Sequence, residues 1–292
     1  MNSPDTAGVG SGEAIGHADQ VRLGERFTFG ANWQRFLRLL DDERIARAEA
    51  SLRDMLEVDR LDGVTFLDAG SGSGLFSLAA RRLGATVTSF DFDPESAACT
   101  RELRRRYFPD DPRWVVREGS VLDESFVREL GTFDIVYSWG VLHHTGSMWR
   151  AIEHAQSCVR PGGRFFIALY NDQGMKSVAW KYLKRMYCTG LPGRVVVTSL
   201  CVPYFVIRQF ASDAVRGRNP VAHYRDYRAN RGMSVVRDWV DWLGGYPFEV
   251  ASTTVVFDYM RARGFRLDRL VATAGSGCNE FVFTRAGEPR PK

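Results

Sequence analysis

The sequence is poor in cysteine and gives no sign of cysteine chemistry. Its five cysteines are scattered along the chain and form no CxxC pair. An odd and unpaired set of this kind argues against a disulfide framework and a zinc site, and it suits reduced thiols in a cytoplasm. Because no other cluster of metal-ligand residues is apparent in the sequence, we predict a metal-independent, cytoplasmic protein.

Long apolar runs and strong charge are also missing. No run of about 18 apolar residues occurs, and the nearest candidate, Val195–Ile207, contains Pro203, so we expect no membrane-spanning helix. Residues 1–24 lack the basic start and apolar core of a signal peptide, and their Gly, Ser and Ala content predicts a flexible tail. A net charge of only +4 demands no nucleic acid partner.

What the sequence does contain is a regular alternation of strand and helix patterns. Short apolar runs predict five strands, and amphipathic segments predict the helices between them; the strands are Val64–Gly70, residues 86–91 and 113–118, Phe133–Ser138 and Gly163–Tyr170. A helical pattern over Arg26–Leu56 precedes the first strand. This order is typical of a Rossmann-like α/β fold with a mostly parallel sheet covered on both faces.

The alternation of strand and helix patterns stops after Tyr170 for about 80 residues, which is longer than an ordinary connection between two strands or helices. It returns with a helix near Thr253–Arg263 and two strands close enough to pair antiparallel. We therefore predict a seven-stranded sheet with an antiparallel last strand and a helical cap after strand five. The predicted division is a tail over residues 1–24, a core over 25–170, a substrate cap over 171–250, and a return of the core over 251–292.

A glycine-rich loop joins the first strand to its helix, where ligands bind in this kind of fold. The loop places glycines at 70, 72 and 74, two residues after Asp68, and Asp91 ends the second strand. The carboxylate of Asp68 would repel a pyrophosphate bound at this loop, whereas it would attract a ligand that carries an ammonium group. Since Asp91 can accept from both hydroxyls of a ribose, the two acids together favour S-adenosylmethionine as the ligand.

These motifs, together with "VRPGG" (Val159–Gly163) before strand five, resemble the class I S-adenosylmethionine-dependent methyltransferases. "VLHHTG" (Val141–Gly146) is similar to the small-molecule branch that includes ubiquinone-pathway O-methyltransferases. The resemblance implies a cofactor site made of the following residues: Asp68, Gly70, Gly72, Gly74, Asp91, Phe92, Ser120, Val121 and Trp139. Relatives often carry Gly-Asp after strand three, whereas this chain has Gly119-Ser120, and Asp123 is a less certain substitute.

Histidines just beyond strand four are the candidates for acceptor chemistry. A hydroxyl acceptor must lose its proton, and histidine suits that task at neutral pH. His143 and His144 are thus predicted catalytic, although turn or packing roles stay open. The Asn-Pro-Pro-Tyr sequence of amide and adenine methylating enzymes is absent here, which argues against those acceptors.

The insertion 171–250 carries twelve Lys and Arg against six Asp and Glu, which suits an acidic substrate as well as a plain solvated face. The predicted substrate-facing residues are Tyr170, Asn171, Asp172, Gln173, Tyr224, Tyr227 and Arg231. Its apolar stretch Val195–Ile207 suits a pocket wall, a membrane contact, or a core or dimer-interface helix, the last being the default.

The predicted activity is S-adenosylmethionine-dependent methyl transfer to a small metabolite, foremost to a hydroxyl oxygen of a natural-product or sugar-type acceptor. Methylation of carbon or nitrogen on a similar compound is the close alternative. A non-catalytic cofactor-binding partner protein and an RNA methyltransferase are weaker alternatives. A dimer stays open.

Overall fold

The computed structural model describes residues 16–217, 219, 242–275 and 277–287. Within them the chain forms seven strands: β1 Thr65–Ala69, β2 Thr86–Asp91, β3 Trp114–Glu118, β4 Phe133–Trp139, β5 Val159–Tyr170, β6 Phe265–Val271 and β7 Cys278–Arg285. The described helices are α1 His17–Arg22, α2 Gly30–Leu39, α3 Asp42–Leu56, α4 Leu75–Arg82, α5 Pro94–Tyr107, α6 Glu124–Leu130, α7 Met148–Ser157, α8 Met175–Cys188, α9 Leu191–Val215 and α10 Thr253–Arg261.

The strands form one sheet in the order β3-β2-β1-β4-β5-β7-β6. Strands β1 to β5 run parallel, whereas β7 pairs antiparallel with both β5 and β6. The predicted mostly parallel, seven-stranded Rossmann-like sheet with an antiparallel last strand is therefore confirmed. The order reverses between β1 and β4, and this switch point places the ends of β1, β2 and β4 around one crevice.

Strand β5 starts at Val159, four residues before the predicted Gly163. Phe133 pairs with Val159, and the register then shifts before Ile135 pairs with Arg164. This irregularity takes up the Pro-Gly-Gly turn residues inside the strand, which a pattern of alternating apolar residues does not reveal.

Side-chain caps define where several helices begin. Asp41 accepts from the backbone N–H of Arg44 at the start of α3, and Asp93, followed by Pro94, accepts from Glu95 at the start of α5. The cap at Asp41 also breaks the helical pattern of Arg26–Leu56 into α2 and α3, because Leu40 and Asp41 adopt extended backbone.

The sheet has an apolar core on each face, and a smaller cluster joins α8 and α9 to the segment after residue 241. Trp114 and Phe66 lie in one of the two large cores, and Phe165 and Phe281 lie in the other. The smaller cluster contains Val197 and Leu243, both fully buried.

The N-terminal segment packs over the carboxyl edge of the sheet. The backbone N–H of Gly30 donates to Asp93, and the guanidinium of Arg26 donates to the backbone oxygen of His144 at 2.9 Å. Residues 17–22, which fall in the predicted tail, form α1, and His17 packs edge-on against Phe92 at 5.4 Å. Residues 1–15 of that tail lie outside the described residues.

Candidate functional site

A cavity of about 660 Å³ lies at the switch point of the sheet. This volume is in the range of small-molecule and cofactor sites. Its walls come from the glycine loop, the ends of β2 and β4, the loop after β3, the N-terminal segment and the stretch 242–245. Of the predicted site residues, the ones that line it are Asp68, Gly70, Gly72, Asp91, Phe92, Ser120, Val121, Trp139, His144 and Tyr170.

The three loop glycines have positive φ angles of +84°, +54° and +80° at 70, 72 and 74, a region that side chains rarely enter. A Cβ at Gly70 would lie 2.3 Å from the side chain of Val141, so the loop can approach the β4 loop only without one. A Cβ at Gly74 would lie 2.8 Å from the backbone of Thr100 in α5. Gly74 does not line the cavity; it allows α4 and α5 to pack closely.

Asp91 fixes the glycine loop at the end of β2. Its carboxylate accepts from the backbone N–H of Gly72 and from that of Asp93, each at 2.9 Å. Burial raises the pKa of Asp91 to about 6, while these two hydrogen bonds and the nearby Arg26 oppose the rise. The carboxylate thus stands at the cavity wall with oxygens able to accept from further donors.

Asp68 lies deeper, with 3% of its surface exposed. The hydroxyl of Ser77 donates to it at 2.5 Å. Burial, reinforced by the charge of Asp91, raises the pKa of Asp68 to about 7, while the bond from Ser77 opposes the rise. Two carboxyls in one apolar cavity repel each other when ionised, and a ligand that brings a positive charge between them would relieve this repulsion.

The loop after β3 does not supply a third acid. The hydroxyl of Ser120 accepts from the backbone N–H of Leu122, and Val121 lines the cavity while its carbonyl faces the His154 ring. Asp123 is instead the N-cap of α6 and accepts from Ser125 and Phe126. Asp123 therefore caps a helix and does not line the cavity.

The N-terminal segment contributes cavity walls that sequence patterns did not indicate. These residues are His17, Arg26, Phe27, Phe29, Asn32, Trp33 and Phe36. The Arg26 guanidinium lies 5.2 Å from the ring centre of Phe92, and Phe29 lies 5.4 Å from the ring of His144. The aromatic residues Phe27 and Phe29 just before α2 are the sequence signal that could have suggested this contact, because large apolar side chains tend to pack against another part of the protein.

Aromatic side chains of β4 line the cavity. Tyr137 stacks on Phe76 at 5.1 Å, and its buried hydroxyl has no hydrogen-bond partner among the described residues. Burial raises the pKa of Tyr137 far above its usual range, with the charge of Asp68 as a second cause. Trp139 is 44% exposed at the strand end, so an aromatic face is available to a cation in the cavity.

The structure separates the two predicted histidines. His143 is fully buried and does not line the cavity; its Nδ1 accepts from the backbone N–H of Tyr170 at 3.3 Å. Nδ1 of His144 lies 2.7 Å from the carbonyl oxygen of Pro247. A carbonyl oxygen only accepts, so Nδ1 carries the proton and Nε2 keeps a lone pair. His144 therefore presents a proton acceptor to the cavity.

Two cationic side chains, Lys184 and Arg26, lie close enough to affect His144. Burial lowers the pKa of His144 to about 3, and the charges of Lys184 and Arg26 lower it further, against the hydrogen bond to Pro247. Lys184 is fully buried, donates to the backbone oxygen of Trp242, and lies 4.3 Å from that ring centre. A Cβ at Gly245 would lie 3.1 Å from the His144 ring and 3.6 Å from Lys184 Nζ, so a glycine here lets both side chains lie close to this segment.

Among the predicted substrate residues, Tyr170 lines the cavity. Asn171 donates to the backbone of Thr273 and accepts from Asn279, which ties strand ends together. Asp172 accepts from the backbone of Gly174, and Gln173 donates through its backbone to Ser177. Asp172 and Gln173 therefore stabilise the turn into α8, and none of the three lines the cavity. Tyr224, Tyr227 and Arg231 lie outside the described residues.

No group of three or more potential metal ligands occurs in the part of the chain that the structure describes. The cavity offers instead the acids Asp68 and Asp91, a glycine loop, aromatic faces and the neutral ring of His144. Such a site can hold a small ligand that carries both a positive group and a ribose.

Comparison with known proteins supports this chemistry. A family profile described as "Methyltransferase domain" matches residues 33–211. The ubiquinone biosynthesis O-methyltransferase of Methylocella silvestris is 32% identical over 144 residues, which are 49% of this chain and 54% of that protein. A tRNA U34 carboxymethyltransferase of Methylococcus capsulatus is 33% identical over 127 residues, 41% of this chain and 38% of that protein. The chain thus spans 54% of the length of the first relative and 38% of the length of the second.

Among solved structures, an O-methyltransferase family protein from Burkholderia thailandensis superposes with a TM-score of 0.52 at 14% identity. The match covers 85% of this chain and 59% of that one, and it concerns the fold alone. The family match extends over more than half of the chain, across the glycine loop, Asp91 and the β4 loop. The chain therefore belongs to the methyltransferase-domain family, within the class I S-adenosylmethionine-dependent methyltransferases.

Proposed function

We propose that this protein transfers a methyl group from S-adenosylmethionine to a hydroxyl oxygen of a small metabolite. The observation that carries the proposal is the hydrogen bond between His144 and Pro247, because it fixes a histidine nitrogen as a proton acceptor at the cavity. The O-methyltransferase name of the Methylocella silvestris relative supports the choice of oxygen.

The residues present fit the cofactor. Asp91 offers carboxylate oxygens for ribose hydroxyls, and the pKa of Asp68, raised to about 7, suits a carboxyl that ionises beside an ammonium group. Gly70 and Gly72 leave the loop backbone open to the amino-acid end, and Phe92, Ser120 and Val121 form the wall beyond Asp91. When bound, S-adenosylmethionine supplies a methyl group on a sulfonium, and the Trp139 face would stabilise that cation.

The chain's own contribution to the chemistry is position and charge. His144 Nε2 would take the proton of the acceptor hydroxyl, while His143, behind it, holds the Tyr170 backbone in place. A histidine with a pKa near 3 is a weak base, so an alcohol of ordinary acidity would resist it. Lys184 and Arg26, which lower that pKa, would equally stabilise an acceptor oxyanion. We therefore favour an acidic hydroxyl, such as a phenol or an enol, over a sugar alcohol.

The helices α8 and α9 with the stretch 242–250 would form the acceptor side of the site, as a substrate cap. Trp242 and Gly245 line the cavity, and Trp242 packs on Trp180 of α8 at 4.3 Å. Lys184 links α8 to Trp242 through its hydrogen bond. The cap would therefore reach the cavity through Trp242 and Gly245, and Gly245 lies beside the His144 ring.

The test is a product screen with the purified protein, S-adenosylmethionine carrying a labelled methyl group, and matched acceptors. Each set contains a phenol, the corresponding alcohol, the aniline and a compound with an acidic carbon. O-methylated phenol as the main product supports the proposal. Methylation of the aniline or the carbon acceptor would assign N- or C-methylation, and cofactor binding without any turnover would favour a non-catalytic partner role.

A further inference from the structure

The helix α9 exposes an apolar face that the cavity does not use. By length and composition it is the one helix of the described residues that could cross a membrane. Val196, Leu200 and Ile207 follow one another at intervals of four and seven residues, so they share one side of the helix. Leu200 is 64% exposed and Ile207 is 68% exposed.

The opposite side of α9 is already packed. Gly193, Val197, Cys201 and Phe205 recur every four residues and are buried. The last three belong to the apolar cluster that α9 forms with α8 and Leu243. Crossing a membrane would require breaking these contacts, so the helix is held at the protein surface with one face inward and one outward.

The charge of the α8–α9 hairpin, residues 175–217, indicates which kind of partner its exposed face can bind. Between Met175 and Gly217, all of it described, the exposed cations are Lys176, Lys181, Arg185, Arg194, Arg208 and Arg216. The one acid in this stretch is Asp213, which is buried and accepts from Gln209. The hairpin thus presents apolar side chains with cations and no exposed carboxylate.

An anionic lipid surface matches this combination, whereas a second copy of the chain does not. In a two-fold dimer the same patch meets itself, so the cations of one copy would face those of the other without a carboxylate to pair with. Apolar side chains that enter the headgroup region, flanked by Lys and Arg, are what attaches surface helices to anionic membranes.

We propose that the exposed face of α9, with the cations of the α8–α9 hairpin, docks this protein on the surface of a membrane containing anionic lipids. This attachment is independent of the proposed acceptor. It leaves the helix lying in the interface, with its inner face still packed on α8.

Co-sedimentation of the full chain with vesicles tests the proposal. We expect binding to vesicles of phosphatidylcholine mixed with phosphatidylglycerol, weak binding to phosphatidylcholine alone, and a loss of binding at high salt, because screening shortens the range of the attraction. Leu200→Glu with Ile207→Glu should weaken binding by about tenfold or more, since two apolar anchors become charged. Val255→Glu, at a 51% exposed position on α10, is the matched control and should keep binding.

Binding that the double variant leaves intact, or an absence of preference for phosphatidylglycerol, would overturn the proposal. So would a dimer in sedimentation equilibrium that dissociates in the double variant, because a second copy would then cover the face. Since Leu200 and Ile207 are exposed, both variants should fold, and circular dichroism with thermal unfolding checks this.

Discussion

The ring nitrogen Nδ1 of His144 lies 2.7 Å from the carbonyl oxygen of Pro247, a residue 103 positions later in the chain. The contact joins the loop after β4 to the stretch 242–250. It sets the tautomer of the ring, and it makes the proton acceptor of the cavity depend on the position of a distant segment. Arg26 adds a third segment through its bond to the His144 carbonyl.

Replacing His144 by alanine should lower kcat about 100-fold or more, because a positioned general base contributes at least this much. Affinity for S-adenosylmethionine should change little, since His144 lies on the proposed acceptor side of the cavity. His143→Gln should instead lower thermal stability and leave kcat within about tenfold. Steady-state kinetics and cofactor titration of both variants measure this. A larger loss of kcat in the His143 variant would reverse their roles.

Replacing Asp91 by asparagine should weaken S-adenosylmethionine binding by about 1.5–3 kcal/mol, as expected when a hydrogen bond to a charged group is lost. Asp123→Asn makes the same chemical change at an N-cap outside the cavity. Because Asn caps a helix about as well as Asp, it should change stability little and leave cofactor affinity unchanged. Isothermal titration calorimetry compares the two. Equal affinity for the cofactor in wild type and the Asp91 variant would remove this acid from the site.

Cofactor affinity should fall by at least about tenfold from pH 8 to pH 5, because the carboxyls that face the ligand become protonated. The pKa of Asp68 is raised to about 7 and that of Asp91 to about 6, so the decline should span this window. Asp68→Asn should remove the part near pH 7. For the protein without ligand the sign is opposite, since a raised carboxyl pKa gives stability that is lost as the pH rises through 7. A flat affinity profile would contradict the assignment.

Replacing Lys184 by methionine should stabilise the fold by about 1–4 kcal/mol at pH 6, since a buried charge that has no carboxylate partner among the described residues is costly. Burial lowers the pKa of Lys184 to about 7, so wild-type stability falls as the pH drops through this value and the gain should shrink at pH 10. The same variant should lower kcat on a phenol, because the oxyanion loses a nearby cation. Denaturant unfolding and kinetics measure both, with Lys181→Met as the exposed control. Unchanged kcat would leave Lys184 a structural residue.

Much of the fold could be predicted because its signals are local. A buried strand such as β1 is an apolar run, and the start of α5 is marked by a proline in the first turn of the helix. The glycine loop and Asp91 were predictable for the same reason, since a loop after a strand must meet the ligand edge of a parallel sheet. The resemblance of the residues around Asp68 and Gly70 to the family then indicated the cofactor.

The residues that the sequence alone misplaced are those whose role depends on distant partners. Asp123 resembled a cofactor acid but caps α6, and Asn171 faces Asn279 rather than the cavity. His17 and Arg26 reach the site because α1 and the residues before α2 fold back over Phe92, which no spacing pattern encodes.

The sequence by itself determined the order of strands and helices, the cofactor loop and the family, because each depends on residues close together in the chain. The tertiary structure alone decided which histidine meets the cavity and what surrounds it. His143 and His144 are neighbours with the same intrinsic chemistry. The fold buries the His143 ring fully and brings His144 to the cavity, where its contact with Pro247 fixes the free nitrogen. That choice arises from burial and long-range hydrogen bonds, which exist only once the chain has folded.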